Sequence, residues 1–181
     1  MDILEKTENS IIIFHARYAL YLLEKEFNNN EGGIEKVKWE YKFLNENKES
    51  NHFVNFSKFV KKISKKNKII LIYPLPEVGW DLPRRVKFVE FKNKLLNENK
   101  QVTTSYEIFK ERNKEVFKIL DNIKGPNIQR LYPHKKLCDY KTGRCITQKD
   151  NHLLYRDYVH LTKHGVKLIL NDLLKLIENK N

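Results

Sequence analysis

An acid and a histidine stand three residues apart near the end of the chain. They are Asp157 and His160, inside LLYRDYVHLTKHGVKLIL (residues 153–170). Beside a serine, such a histidine takes the nucleophile's proton and later returns it to the leaving group. The carboxylate fixes the imidazole tautomer and stabilises the imidazolium. A three-residue spacing on a bend places both side chains on one side of the turn. On spacing alone, a solvated ion pair or a cap is the default reading. Two cysteines, Cys138 and Cys145, flank a turn-like Lys-Thr-Gly in LCDYKTGRC. That spacing suits a short disulfide hairpin or two free thiols. Without a second Cys/His pair they make a poor zinc site, and no metal is expected. His134 and His152 read as decoration of the cysteine hairpin, and His164 as an exposed residue of the last helix.

Strands and helices alternate around these residues. NSIIIFHAR reads as a buried strand, a short β-branched run bounded by polar residues. YALYLLEKEF follows as a helix, and NNNEGG breaks it. Val37, Trp39, Tyr41 and Phe43 alternate as in a strand or hairpin arm, with Trp39 read as core. NHFVNFSKFVKKISKK has its aromatic and aliphatic residues at helical spacing. KIILIYPL is the clearest strand, ended by Pro74 and Pro76. PRRVKFVEFKNKLL is a helix with Pro83 in its first turn. TSYEIFKERNKEVFKILDNI is a longer helix closed by Gly125-Pro126. NIQRLYP is a further short strand, and NHLLYRD a short strand or extended arm. KHGVKLILNDLLKLIEN is the final helix, with Thr162 as its N-cap. This alternation predicts one α/β domain over residues 1–181, a parallel sheet with helices on both faces. In such sheets chemistry gathers at the carboxyl ends of the strands.

Composition narrows the function classes. The 181 residues are 40% hydrophobic and 12% aromatic, which excludes a disordered chain. No apolar run approaches the roughly 20 residues of a membrane helix. MDILEKTENS has no apolar core of a signal peptide. Lys plus Arg is 35 and Asp plus Glu is 23, a net charge of +12. The excess is mostly lysine spread along helices, with no aromatic RNA-binding signature and no Cys/His finger. No nucleic-acid partner is expected; the charge favours anionic glycans or a lipid surface.

The run LLYRDYVHLTKHGVKLI resembles the last block of the SGNH hydrolase superfamily, where the triad acid and base lie. Four further segments, in order, are similar to SGNH domains fused behind type-three membrane acyltransferases: IIIFHARYALYL, IYPLPEVGWDLP, TSYEIFKERNKEVFKIL and LCDYKTGRC. The resemblance implies a three-layer, SGNH/flavodoxin-like parallel sheet. It implies acyl transfer, typically of acetyl, to cell-envelope sugars, without a cofactor. It implies a membrane acyltransferase domain as upstream partner, a carbohydrate acceptor, and a location outside the cytoplasmic membrane. It favours the Cys138–Cys145 disulfide. By the same resemblance Asp157 and His160 are the acid and base. His15 and Arg17 stand where an oxyanion donor would act, Arg17 being open equally to a structural salt bridge. Glu77, Trp80 and Asp81 could shape an acceptor pocket, a carboxylate binding hydroxyls and an indole stacking on sugar; the competing reading is a rigid loop with Trp80 as core.

The sequence departs from the family at the nucleophile. Its serines are Ser10, Ser50, Ser57, Ser64 and Ser105, and none stands in Gly-Asp-Ser. The Gly-x-Asn-Asp oxyanion block is absent too. The expectation is therefore a domain lacking its N-terminal strand, with the acid and base of an acyltransferase or esterase and no activity alone. The rival is a non-catalytic basic protein that binds anionic glycan or, as a weaker alternative, nucleic acid.

Overall fold

The computed structural model describes residues 2–23, 26–35, 52–125 and 127–179. A short helix, α1 (Asp2–Lys6), leads into β1 (Ile11–Phe14) and α2 (Tyr18–Leu23). Helix α3 (His52–Ile63) precedes β2 (Lys68–Ile72), which the β-branched run KIILI makes the central strand. Asp81 caps α4 (Leu82–Leu96), with Pro83 in the first turn where its missing N–H costs nothing. Strand β3 (Thr103–Ser105) runs straight into α5 (Tyr106–Asn122), because the Ser105 hydroxyl accepts the Ile108 N–H. Strand β4 (Ile128–Leu131) and the single turn α6 (His134–Leu137) follow. Four short strands come next: β5 (Cys138–Asp139), β6 (Arg144–Ile146), β7 (Gln148–Lys149) and β8 (His152–Leu153). The Thr162 hydroxyl accepts the N–H groups of His164 and Gly165 and opens α7 (Lys163–Glu178).

The main sheet has the order β1-β2-β4, all parallel, with Ile12 opposite Ile69 and Ile70 opposite Gln129. Side chains alternate across it. Ile12, Ile69, Leu71 and Tyr73 meet α3 and α5 through Val60, Ile63, Val116 and Leu120. Ile70, Ile72 and Leu131 meet α7 through Leu173, Leu176 and Ile177 on the other face. Two helical layers thus sandwich a parallel sheet, the expected architecture. Among the described residues β1 is an edge strand.

A second core holds Val78, Leu82, Val86, Val102, Leu137, Leu154 and Tyr155 beneath α4. Beside it, β3, β6 and β5 form a small antiparallel sheet. Cys138 and Cys145 are opposite partners in it and are joined by a disulfide. The reading of residues 37–43 as a strand, with Trp39 as core, lies outside the described residues. No helix of the described residues is long and apolar enough to cross a membrane.

Two histidine expectations need correction. His134 does not decorate the cysteine hairpin: it is 7% exposed, ringed by Tyr106, Phe109, Phe117 and Tyr132. His164 is half-buried rather than exposed, its ring stacked on that of His152 with centroids 3.8 Å apart. Burial, with Lys135 adding to it, pulls the pKa of His134 down to about 4. Its folded value thus lies below its unfolded value. Between pH 6.5 and 4 the unfolded chain takes up a proton that the folded one refuses. The contribution is whole above pH 6.5 and declines as pH falls toward 4, by about 2 to 3 kcal/mol. His134→Phe should flatten the pH dependence of the urea midpoint in that window.

Candidate functional site

The loop that carries Asp157 and His160 is laced shut at its base. Thr162 N–H donates to the Leu154 carbonyl at 2.9 Å, and the Thr162 hydroxyl to that of Leu153 at 2.6 Å. Tyr155 and Leu161 bridge, and Arg156 N–H reaches the His160 carbonyl at 2.9 Å. Inside the loop, Asp157 Oδ1 accepts the N–H groups of Val159 (2.9 Å) and His160 (2.8 Å). Its Oδ2 lies 2.8 Å from His160 Nδ1. The i, i+3 spacing thus becomes a turn in which one carboxylate holds both the backbone and the ring. Desolvation works to raise the Asp157 pKa. The two backbone donors and the His160 ring outweigh it, and the carboxyl stays below its ordinary value.

With Nδ1 bound to Asp157, Nε2 is the ring nitrogen of His160 left without that contact. The ring lines a cavity of about 550 Å³. Its wall is made of residues just past β1 (His15, Ala16, Arg17), residues at and past the end of β2 (Ile72, Pro74, Leu75, Glu77), and α7 (Val166, Ile169). It therefore opens at the carboxyl ends of the parallel strands, where such folds place their chemistry.

Gly165 lets α7 come this close. A Cβ there would meet the Leu154 carbonyl oxygen at 2.3 Å and Leu161 Cδ2 at 2.8 Å. Backbone cannot step aside as a side-chain tip can. Gly165→Ala should lower the unfolding free energy by about 2 to 3 kcal/mol, read from urea denaturation.

His15 lines the cavity as an exposed residue. Desolvation outweighs the opposing pull of the Ile72 carbonyl, so its pKa lies below the ordinary histidine value. Arg17 is held by carboxylates: Nε donates to Glu77 at 2.9 Å, Nη1 to Glu35 at 3.0 Å, and Nη2 to both. Desolvation works to lower its pKa, and the two carboxylates carry it above the ordinary value instead. Glu77 also receives Arg112 through Nε and, at 3.3 Å, through Nη2. Both Glu77 oxygens are engaged, so this carboxylate has guanidinium partners rather than free valences for hydroxyls.

Trp80 lies elsewhere. The Arg85 guanidinium sits 4.8 Å over its ring, and a Cβ on Gly33 would lie 2.9 Å from the indole. It lines a second groove with Phe88, Lys92 and Arg144, away from His160. Asp81 is the α4 cap. Ser10, Ser57, Ser64 and Ser105 do not line the His160 cavity, and Ser50 lies outside the described residues.

Asn113 belongs to the Arg-Asn pair of the α5 segment that carries the resemblance, which gives it no site role. It lines the cavity, 3% exposed, with Nδ2 bonded to the Phe109 carbonyl at 2.9 Å. It stands on the buried stripe of α5 beside Phe109, Val116 and Leu120. A polar residue on an apolar helix face was the available signal.

A parallel sheet between two helical layers, with Asp157 and His160 at its carboxyl end, is consistent with an SGNH-like α/β domain. The chain belongs to the family of SGNH domains fused to AT3 domains, whose model matches residues 1–175. Among solved structures it is similar to the periplasmic domain of a lipopolysaccharide acetyltransferase from Salmonella ser. Paratyphi A, at 22% identity and a TM-score of 0.52. The match covers 68% of this chain and 48% of that one, so the chain spans about half the length of that structure. At that identity the likeness concerns the fold. No curated protein matches the chain.

Proposed function

We propose that this domain supplies the acid and base for acyl transfer to hydroxyls of cell-envelope carbohydrate, outside the cytoplasmic membrane. The nucleophilic serine comes from polypeptide beyond these 181 residues. The observation that carries the reading is the Asp157–His160 contact of 2.8 Å at the mouth of a cavity at the carboxyl ends of the strands. His160 Nε2 takes the serine proton as the hydroxyl attacks the acyl donor, and returns it to the leaving group. In the second half, a sugar hydroxyl attacks the acyl-serine. Its proton passes to His160 and then to the departing serine oxygen. His15 and Asn113 offer polar contacts to the bound groups; Arg17, held by Glu35 and Glu77, positions the His15 segment. The disulfide fits an oxidising compartment, and the family's fusion to AT3 domains supports a membrane-embedded partner for the acyl supply.

The second reading, a non-catalytic binder of anionic glycan, draws on the lack of a described serine at the cavity and on the +12 charge. One experiment separates the two. The coding sequence immediately upstream is joined to this domain, and p-nitrophenyl acetate turnover is measured with and without a carbohydrate acceptor. Acceptor-stimulated turnover that needs His160 supports transfer. Turnover that survives His160→Ala sinks it, and no turnover from the joined protein favours the binder. These 181 residues alone should show none above background.

A further inference from the structure

Helix α4 carries apolar residues on two opposite faces. Leu82, Val86 and Val89 pack into the second core. On the far side, Phe88, Phe91 and Leu95 follow the i, i+3, i+7 rule and form one stripe. They are 52%, 65% and 73% exposed. Among the described residues, none of the three core clusters includes them. Two phenylalanines and a leucine contiguous on one outer face are a docking feature rather than scattered surface residues.

The charges around the stripe identify its partner. At 100° per residue, Arg85 and Lys92 border it on one side and Lys87 and Lys94 on the other. Arg84 stands at its N-terminal end. Helix α4 thus holds five cations and a single carboxylate, Glu90, which lies off the stripe toward the buried face. The Arg85 guanidinium lies over Trp80, with its Nε buried. Lys92 Nζ is 5.7 Å from the Phe88 ring centroid. Phenylalanine and leucine flanked on both sides by lysine and arginine is the pattern of a helix that lies in a membrane interface. The rings enter the headgroup–acyl boundary and the cations meet anionic headgroups. The chain's +12 charge adds long-range attraction to such a surface.

We propose that the outer face of α4 docks this domain on an anionic lipid surface, with Phe88, Phe91 and Leu95 inserting and the exposed Arg84, Lys87, Lys92 and Lys94 binding headgroups. Pro74, Leu75 and Glu77, which line the His160 cavity, are joined to α4 by residues 78–81.

The test is vesicle flotation with the whole 181-residue chain. Vesicles of phosphatidylcholine alone are compared with vesicles holding about 30% phosphatidylglycerol, over a salt series. Binding is expected to the anionic vesicles only, and to weaken as salt rises. Phe88→Ser/Phe91→Ser/Leu95→Ser should lower the apparent affinity about tenfold or more. Lys114→Glu/Lys118→Glu, on the exposed side of α5, should change it much less. Circular dichroism checks that each variant is folded; Leu95→Ser alone serves if the triple variant is not. Equal binding by the stripe variant would overturn the proposal. So would an equal loss in the α5 variant, which would mark plain basic adsorption. A concentration-dependent dimer in vesicle-free buffer, lost in the stripe variant, would assign the face to a second copy instead.

Discussion

On the proposed mechanism, replacing His160 with alanine in a polypeptide that joins this domain to the nucleophilic serine should lower acyl transfer by about three to four orders of magnitude. The acceptor KM should change little, because the imidazole acts on protons in flight more than on ground-state binding. Asp157→Asn should approach the same loss by a different route. The amide oxygen can still accept the Val159 and His160 N–H groups, so the turn survives. It cannot stabilise an imidazolium, and it can hold the ring in the wrong tautomer. The double variant should be hardly worse than His160→Ala alone, since the two side chains act as one unit. Thermal unfolding distinguishes this from a folding defect. His160 is 61% exposed and Asp157 34%, so neither substitution should cost more than about 1 kcal/mol. The carboxylate is depressed below its ordinary pKa, so its contribution is present above the unfolded value and fades only as pH falls through the folded one. Near-normal transfer in His160→Ala would remove the catalytic reading.

The features legible in the sequence are those set by neighbouring residues. KIILI is a central strand because five consecutive residues carry the pattern. Ser105 and Thr162 cap helices because a cap acts within three residues. Asp157 and His160 meet because a turn closes between them. Partnerships across the chain are a different matter. Glu77 is 60 residues from Arg17 and 35 from Arg112. It read as a candidate hydroxyl binder because its loop was visible and its guanidinium partners were not. Trp80 reads first as core in a rigid loop, and it does pack against the second core. The loop does line the cavity at Glu77. Three residues on, at positive φ in Gly79 and the cap at Asp81, it turns away and delivers the indole to another groove. His134 misled through position: adjacency to Cys138 says nothing about four aromatic rings gathered from α5 and the end of β4. The β1 edge shows how far pattern reaches. Ile11 and Ile13 are 44% and 42% exposed although the run reads as uniformly buried, since α7 covers β2 and β4 and stops short of β1.

Glu77→Ala should be the most destabilising single substitution in the cavity wall, by about 3 kcal/mol. Glu77 is 9% exposed and Arg112 7%, while Arg17 and Glu35 are 20% and 14%. Two guanidinium groups converge on one carboxylate that solvent barely reaches. Removing one member of such a buried pair leaves uncompensated charge and costs about 3 to 5 kcal/mol. The lower end applies because neither arginine is stranded. Arg17 keeps Glu35, and Arg112 keeps the Glu26 carbonyl at 2.9 Å and its place over the Phe27 ring. Against a total stability of about 5 to 15 kcal/mol the loss is large. Urea denaturation reads it as a lower midpoint at unchanged slope. A cycle with Arg112→Ala should return a coupling above about 1 kcal/mol, as residues sharing one network do. The lesion should also reach the acid–base loop: Val78, next to Glu77, donates its N–H to the Tyr158 carbonyl at 2.9 Å. Loosening Glu77 therefore loosens the strap that positions His160, and catalytic loss should accompany the stability loss. Glu77→Gln, which keeps volume and acceptors without the charge, should fall between wild type and alanine in both measurements. A loss below about 1 kcal/mol for Glu77→Ala would mean that water already screens these charges, and that the network is a surface feature rather than the anchor of the cavity wall.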